Sequence, residues 1–277
     1  MDFYEIILLI ISSIVSWIFL SRWYQYIFKN TRMRQNTFPC GALCLLPALS
    51  FIIIIYTLTF LAAQDVTSSI FWIFFYVPVG FLWLSLGIFS MFAFFDLSWI
   101  DDAINMNNPA AQITIICGGL GLTLIYAGAN IGNGPGWWCI FFAGGLGVIS
   151  WFCLGILINC ITKAFVRITV GRDILCGIRT GSYLLANGII FGRAVAGDWT
   201  SFSRTIAEFG AGTPALLLTA IFILVELRIV KMDTLETQNS KKNIRIFSLT
   251  LAGAYLIAAI CVLKNLPPLP VNPIYHH

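Results

Sequence analysis

The 277-residue chain has Asp, Glu, Lys or Arg at 10% of its positions, whereas 59% of its residues are hydrophobic and 15% are aromatic. Because a soluble domain carries roughly 25% charged residues, this composition excludes a soluble globular protein. The net charge of +4 is spread over short segments between apolar runs. Such a pattern, unlike a continuous basic stripe, argues against nucleic acid as a partner.

Eight apolar runs follow one another along the chain, and each is close to the ~20 residues that a helix needs to cross a hydrocarbon core about 30 Å thick. The sequence therefore predicts an all-α, polytopic transmembrane bundle of about eight spanning helices, with the lipid bilayer as a partner. The first run follows an acidic start and precedes no small-residue cleavage site, so we expect a retained helix rather than a signal peptide. The runs cover approximately residues 3–20, 41–63, 70–94, 111–131, 137–161, 177–196, 214–230 and 247–264.

The distribution of Lys and Arg predicts the orientation of the bundle. Alternate connections between eight helices lie on the same side, and thirteen of the 16 basic residues fall on one of the two sides. By the positive-inside rule that side is cytoplasmic, which makes both termini extracytoplasmic. The thirteen are Arg22, Lys29, Arg32, Arg34, Lys163, Arg167, Arg172, Arg179, Arg228, Lys231, Lys241, Lys242 and Arg245, and the other three are Arg193, Arg204 and Lys264.

Residues 1–277 form a single predicted membrane domain, because the short connections between runs cannot build a core of their own. Residues 1–70 hold the first two helices, residues 71–230 a glycine-rich core, and residues 231–277 the last helix and a Pro-rich tail. In residues 198–209 the apolar side chains would share one face of a helix, and Asp198, which precedes them in the sequence, is a candidate N-cap. This pattern predicts a short helix in the membrane interface.

Glycine is concentrated in the fourth to sixth predicted helices. Between helices in a membrane, glycine permits close backbone contact, so we expect these helices to form the tightly packed centre of the bundle. The alternative is a glycine-lined path for a solute. Three GxxxG spacings carry the prediction: Gly128 with Gly132, Gly177 with Gly181, and Gly188 with Gly192.

A faint internal repeat accompanies the glycines. A shift of 64 residues superimposes Leu120 on Leu184 and Gly128 on Gly192. Because this shift spans two helices, the repeated units would share one orientation, which predicts a parallel rather than an inverted duplication.

Two segments resemble a known family. The stretch 107–111, which leads into a glycine-rich helix, and the stretch from Cys176 through Gly181 and Gly188 towards Trp199 are similar to the bacterial inner-membrane family catalogued as domain of unknown function 350. The similar region covers about residues 75–200. The resemblance implies a multi-pass protein of the bacterial inner membrane and no catalytic residues, although Pro109 and the additional helices at both ends depart from the family pattern.

Few polar side chains lie inside the apolar runs, and those that do are candidates for buried sites. Asn187 lies midway along the sixth helix, so we predict an interhelical hydrogen bond rather than a contact with a substrate. Asn130 is a second candidate. Arg193 lies near one end of the sixth helix, where its side chain can snorkel and anchor the helix at the interface, and Asp198 is close enough to pair with it.

Three further ionisable residues lie near the cytoplasmic ends of predicted helices. Arg179, Glu226 and Arg228 lie close enough to the cytoplasmic ends of their helices for the side chains to reach water by snorkelling. We therefore expect them to anchor the helices at the interface.

Catalytic chemistry finds little support in the sequence. The two histidines are His276 and His277, and the eight cysteines include no CxxC pair, so we expect no metal, no cofactor and no enzymatic activity. The function hypothesis is a noncatalytic membrane subunit or scaffold that packs with other membrane proteins or with itself. The alternative is a small-solute transporter or channel, which usually needs a buried carboxylate or a polar pore ring.

Overall fold

The computed structural model describes residues 2–33, 38–233 and 238–275. The predictions for Arg34, His276 and His277 lie outside these residues, as do the side chains of Arg32, Lys241 and Lys242. Within the described ranges the backbone forms α-helices, one π-helical segment (Trp99–Asn105) and two short 3-10 turns. The α-helices are α1 (Phe3–Met33), α2 (Phe38–Leu43), α3 (Leu45–Phe60), α4 (Gln64–Thr67), α5 (Ile70–Phe95), α6 (Pro109–Ala129), α7 (Trp138–Thr162), α8 (Ala164–Thr169), α9 (Ile174–Ala194), α10 (Phe202–Phe209), α11 (Pro214–Asp233) and α12 (Gln238–Asn265).

The prediction of an all-α polytopic bundle is confirmed. Among the described residues, eight helical stretches are long and apolar enough to cross a bilayer. In two of them a short helix adjoins a longer one, α2 with α3 and α10 with α11. The stretches are Phe3–Lys29, Gly41–Phe60, Ile70–Phe95, Pro109–Ala129, Trp138–Thr162, Ile174–Ala194, Phe202–Lys231 and Ile244–Asn265.

Helices α6 and α9 lie at the centre of the bundle. In each of them 72% of the spanning residues are buried by protein, compared with 11% in the span of α1 and 22% in that of α12. The outer faces of α1 and α12 therefore carry uncovered isoleucine and leucine side chains, such as Ile10, Ile14 and Leu249. Between spanning helices such surface is normally covered by lipid or by another helix.

A polar cap fixes the start of α6. Asn108 Oδ1 accepts hydrogen bonds from Ala110 N at 3.0 Å and Ala111 N at 3.4 Å, while its Nδ2 donates to Ile168 O of α8 at 2.7 Å. Pro109 occupies the first helical position, where its missing N–H would have no intrahelical acceptor in any case. The proline is thus compatible with the helix, and the cap ties α6 to α8.

The predicted short helix in residues 198–209 exists, but it begins later than expected. It covers Phe202–Phe209, and its N-cap is Ser201, whose Oγ accepts from Arg204 N at 3.3 Å. The assignment of Asp198 as N-cap is wrong, because its carboxylate is occupied by the N–H groups of two distant segments.

The proposed orientation can be checked by cysteine labelling from one side of the membrane. Val170→Cys, between α8 and α9, should react with a membrane-impermeant maleimide only from the cytoplasm, and Ser203→Cys in α10 only from outside. Both positions are exposed. If both cysteines react from the same side, the chain does not cross the membrane an odd number of times between them, which would contradict the predicted topology. If Val170→Cys reacts only from outside and Ser203→Cys only from the cytoplasm, the orientation is the reverse of the one predicted.

Candidate functional site

The two central helices touch backbone to backbone. A Cβ atom placed on Gly128 would lie 1.8 Å from Gly192 O, and one placed on Gly188 would lie 2.3 Å from Gly121 Cα. Nearer the start of α9, a Cβ on Gly177 would lie 2.8 Å from Ala110 Cα. No side chain fits at such distances, so these glycines permit the contact.

The contact runs from one end of the helix pair to the other. Residues at the start of α6 meet residues at the start of α9, and residues near the two C-terminal ends meet as well. The helices are therefore parallel, which agrees with the orientation that the 64-residue repeat requires. The contact also leaves no space for a solute between α6 and α9 at the levels of Gly177, Gly188 and Gly192.

The other two glycines of the GxxxG spacings have different positions. A Cβ on Gly181 would lie 3.2 Å from Cys117 Cβ, so this contact between α9 and α6 is looser. Gly132 lies beyond the end of α6 with φ +110°, and a Cβ there would lie 2.3 Å from Gly197 O. Its assignment to helix packing is wrong, because Gly132 lies in a loop and contacts the backbone of a second loop at Gly197.

A buried ionic cluster lies where α8, α9, α11 and α12 meet. Arg179 and Glu226 both have no exposed surface. The Arg179 guanidinium donates through Nε to Glu226 Oε1 and through Nη2 to Glu226 Oε2 at 3.0 Å, while its Nη1 donates to Ser248 Oγ at 2.6 Å. Arg167 Nη1 donates to the same Glu226 Oε2 at 2.8 Å. One carboxylate therefore holds two guanidinium groups.

Asp173 completes the charge balance of the cluster. Its Oδ2 accepts from Arg167 Nη2 at 2.6 Å, and its Oδ1 caps α9 by accepting from Cys176 N at 2.9 Å. Burial by itself lowers the pKa of Arg167, but the negative groups around it, including Glu226 and Asp173, outweigh burial and raise that pKa above its ordinary value. The four groups thus form a neutral set of two cations and two anions.

The cluster overturns the prediction that Arg179 and Glu226 snorkel to water. Each side chain faces a neighbouring helix at the level of its counter-ion, so the ion pair replaces hydration. The sequence did not predict the three residues that stabilise the pair, Arg167, Asp173 and Ser248. The available signal was the occurrence of opposite charges, Arg179 and Glu226, inside two apolar helices, since a buried charge needs a partner.

A line of polar side chains continues from the cluster into the bundle. Arg179, Tyr183 and Asn187 follow at intervals of four residues and therefore share one face of α9. Tyr183 Oη and Thr219 Oγ1 of α11 are 2.8 Å apart in a buried hydrogen bond. Two buried polar atoms in this region have no hydrogen-bond partner in the part of the chain that the structure describes, Asn187 Oδ1 and Tyr255 Oη.

The interhelical hydrogen bond predicted for Asn187 is wrong. Its Nδ2 donates to Tyr183 O, 3.1 Å away in the same helix, and its Oδ1 has no partner in the described part of the chain. Asn130 behaves similarly, since its Nδ2 donates to Tyr126 O of its own helix at 2.8 Å. Each amide nitrogen therefore donates to a carbonyl of its own helix.

We expect Asn187→Leu to change the free energy of unfolding by less than ~1 kcal/mol, because it removes a buried oxygen that has no partner together with one local hydrogen bond. The matched variant Thr219→Val should cost ~1–3 kcal/mol, since it leaves the buried Tyr183 hydroxyl unpaired. Reversible unfolding in mixed micelles measures both. An equal loss for the two variants would mean that Asn187 Oδ1 has a partner.

At the opposite end of the bundle, Asp198 holds three segments together, which we call the loop junction (residues 131–134, 197–199 and 267–272). Its Oδ1 accepts from Asn133 N at 2.7 Å, and its Oδ2 accepts from Asn272 N at 2.9 Å. The Pro-rich tail is bound here, because Asp198 N donates to Pro270 O at 2.9 Å.

Arg193 does not form the ion pair expected with Asp198. Its Nη2 donates to Pro267 O, and the Asp198 carboxylate is occupied by backbone N–H groups of the loop junction. The two residues therefore stabilise the docked tail separately.

No family model, curated protein or solved structure matches the chain. The resemblance of residues 75–200 to the uncharacterised inner-membrane family therefore stays a prediction. In the described residues, no group of three or more His, Cys, Asp or Glu side chains could hold a metal ion.

Proposed function

We propose that the protein is a noncatalytic structural subunit or scaffold of a membrane assembly. The observation that carries the proposal is the backbone contact between α6 and α9. A Cβ at Gly128 would overlap the Gly192 carbonyl oxygen at 1.8 Å, so these helices cannot rotate or slide past each other without losing the interface. A centre of this kind suits a rigid support.

The buried ionic cluster supports the same interpretation. Glu226 binds Arg167 and Arg179, and Arg179 also binds Ser248. These bonds link four helices and satisfy both oxygens of the buried carboxylate. A carboxylate held in this way acts as a structural connection rather than as a free proton acceptor.

The outer helix α1 offers the surface for a partner. Its exposed apolar side chains include Ile10, Ile14, Trp17 and Ile18, which lie at helical spacing on one side. We propose that a neighbouring membrane protein, or a second copy of this chain, packs on this face. The resemblance in residues 75–200 supports the bacterial inner membrane as its location.

The test is the composition of the particle as it exists in its own membrane. Extraction into polymer-bounded lipid discs followed by native mass spectrometry should give a mass larger than one chain, in a fixed stoichiometry. Ile10→Ala combined with Ile14→Ala should reduce the share of the larger particle, whereas Ile149→Ala, at an exposed position of α7, should not. A particle of one chain alone would contradict the proposal.

A small-solute transporter is the second candidate, and one observation favours it. Near the line of polar side chains Arg179, Tyr183 and Asn187, two buried atoms have no partner among the described residues, Asn187 Oδ1 and Tyr255 Oη. Buried polar atoms without partners often mark bound water or a ligand. Liposomes containing the purified chain should then show solute-dependent flux that Asn187→Leu abolishes although this variant stays folded. Flux that is absent from the intact protein would remove this candidate.

A further inference from the structure

An apolar groove opens on the side of the bundle between α3, α6, α9 and α12. Its volume is about 450 Å³, within the range of small-molecule sites. Its floor is the line where α6 and α9 touch, and small residues form it: Ala127, Gly128, Gly192 and Ala196. The walls are mostly apolar side chains: Ile52, Ile53, Leu124, Ile189, Leu263 and Leu269.

One cation lies along this groove. Arg193, in the last turn of α9, is half-buried and lines the groove. Its hydrogen bond to Pro267 O uses one of the five N–H donors of a guanidinium. Among the described residues Arg193 forms no ion pair, since the Asp198 carboxylate is occupied in the loop junction.

Among the described residues, neither Asp nor Glu lines the groove. A ligand with a cationic headgroup, such as the ammonium of a zwitterionic lipid, would therefore find no counter-ion in the groove. A ligand with a net negative headgroup would find Arg193, and guanidinium groups bind phosphate through two parallel hydrogen bonds. The apolar walls suit a hydrocarbon chain.

We propose that this groove binds an anionic phospholipid, with an acyl chain along the apolar walls and the phosphate on Arg193. The glycine contact between α6 and α9 then has a second consequence, because the two closely packed backbones form the floor on which the acyl chain would lie. This inference is independent of whether the protein is a scaffold or a transporter.

The experiment uses purified full-length protein in detergent, titrated with phosphatidylglycerol or phosphatidylcholine of identical acyl chains and followed by native mass spectrometry. The wild type should bind phosphatidylglycerol about tenfold more tightly than phosphatidylcholine, the size expected of a charge-assisted contact. Arg193→Gln should abolish that preference, and Arg193→Lys should keep part of it. The matched control Arg204→Gln, an exposed position paired with Glu208 on the same end of the bundle, should keep all of it.

A second variant tests the groove without touching the charge. Ile53→Trp, at a half-buried position of the wall, should reduce binding of both lipids severalfold. Equal binding of the two lipids by the wild type would overturn the proposal, as would an unchanged preference in a folded Arg193→Gln variant. If Arg193→Gln does not fold, the wild-type comparison together with Ile53→Trp decides, and unchanged binding by Ile53→Trp would place the lipid elsewhere and overturn the proposal.

Discussion

Gly128→Ala is expected to destabilise the bundle by about 3 kcal/mol, at the upper end of the cost of an added methyl group in a packed core. The new Cβ would lie 1.8 Å from Gly192 O and 2.5 Å from Gly192 C. Because the clash is with backbone, no change of side-chain rotamer can relieve it, and α6 and α9 must separate. Separation would also weaken the contact at Gly188, which belongs to the same interface.

The measurement is the free energy of unfolding in mixed micelles. Gly145→Ala is the matched control, since Gly145 lies in the spanning helix α7 and a Cβ there would meet no atom within 4 Å. This control should be neutral or slightly stabilising, because alanine favours a helix over glycine. Equal stability of Gly128→Ala and Gly145→Ala would show that α6 and α9 are not in backbone contact, and would remove the main support for a rigid scaffold.

Glu226→Gln should cost ~3–5 kcal/mol, the loss expected when one partner of a buried ion pair is removed. The variant keeps nearly the same shape, so the loss reports charge rather than packing. Arg179 would retain its bond to Ser248 but would lose its only carboxylate among the described residues. Arg167 would keep Asp173, which confines most of the damage to the contact between α9 and α11.

Two further variants separate this loss from a general effect of mutation. Glu208→Gln breaks the pair with Arg204, whose side chain is 71% exposed, and an exposed pair is worth at most ~1 kcal/mol. The double variant Arg179→Met with Glu226→Met removes both buried charges, so it should recover most of the stability lost in Glu226→Gln. If the double variant is less stable than Glu226→Gln, the two charged side chains stabilise the fold by more than their pairing with each other.

Hydropathy along the sequence was sufficient to predict eight spanning helices, because the bilayer imposes a requirement that each apolar run meets by itself. A run of ~20 apolar residues must satisfy its own backbone hydrogen bonds in lipid, and a helix does so without any other segment. The glycines also predicted a packed centre formed by the fourth to sixth helices. The structure places α6 and α9 there, whereas the span of α7 is only 39% buried.

The tertiary structure alone determined which partner each buried polar side chain binds. Arg179 and Glu226 lie 47 residues apart, and nothing local indicates that α9 and α11 bring them to the same depth, so their distance from the helix ends suggested snorkelling instead. Asp198 matched a helix-capping pattern, yet its carboxylate binds N–H groups of residues 65 and 74 positions away in the chain. Helix formation in a membrane depends on composition within one segment, whereas the partner of a buried charge or amide depends on which other segment faces it, and only the packed bundle determines that.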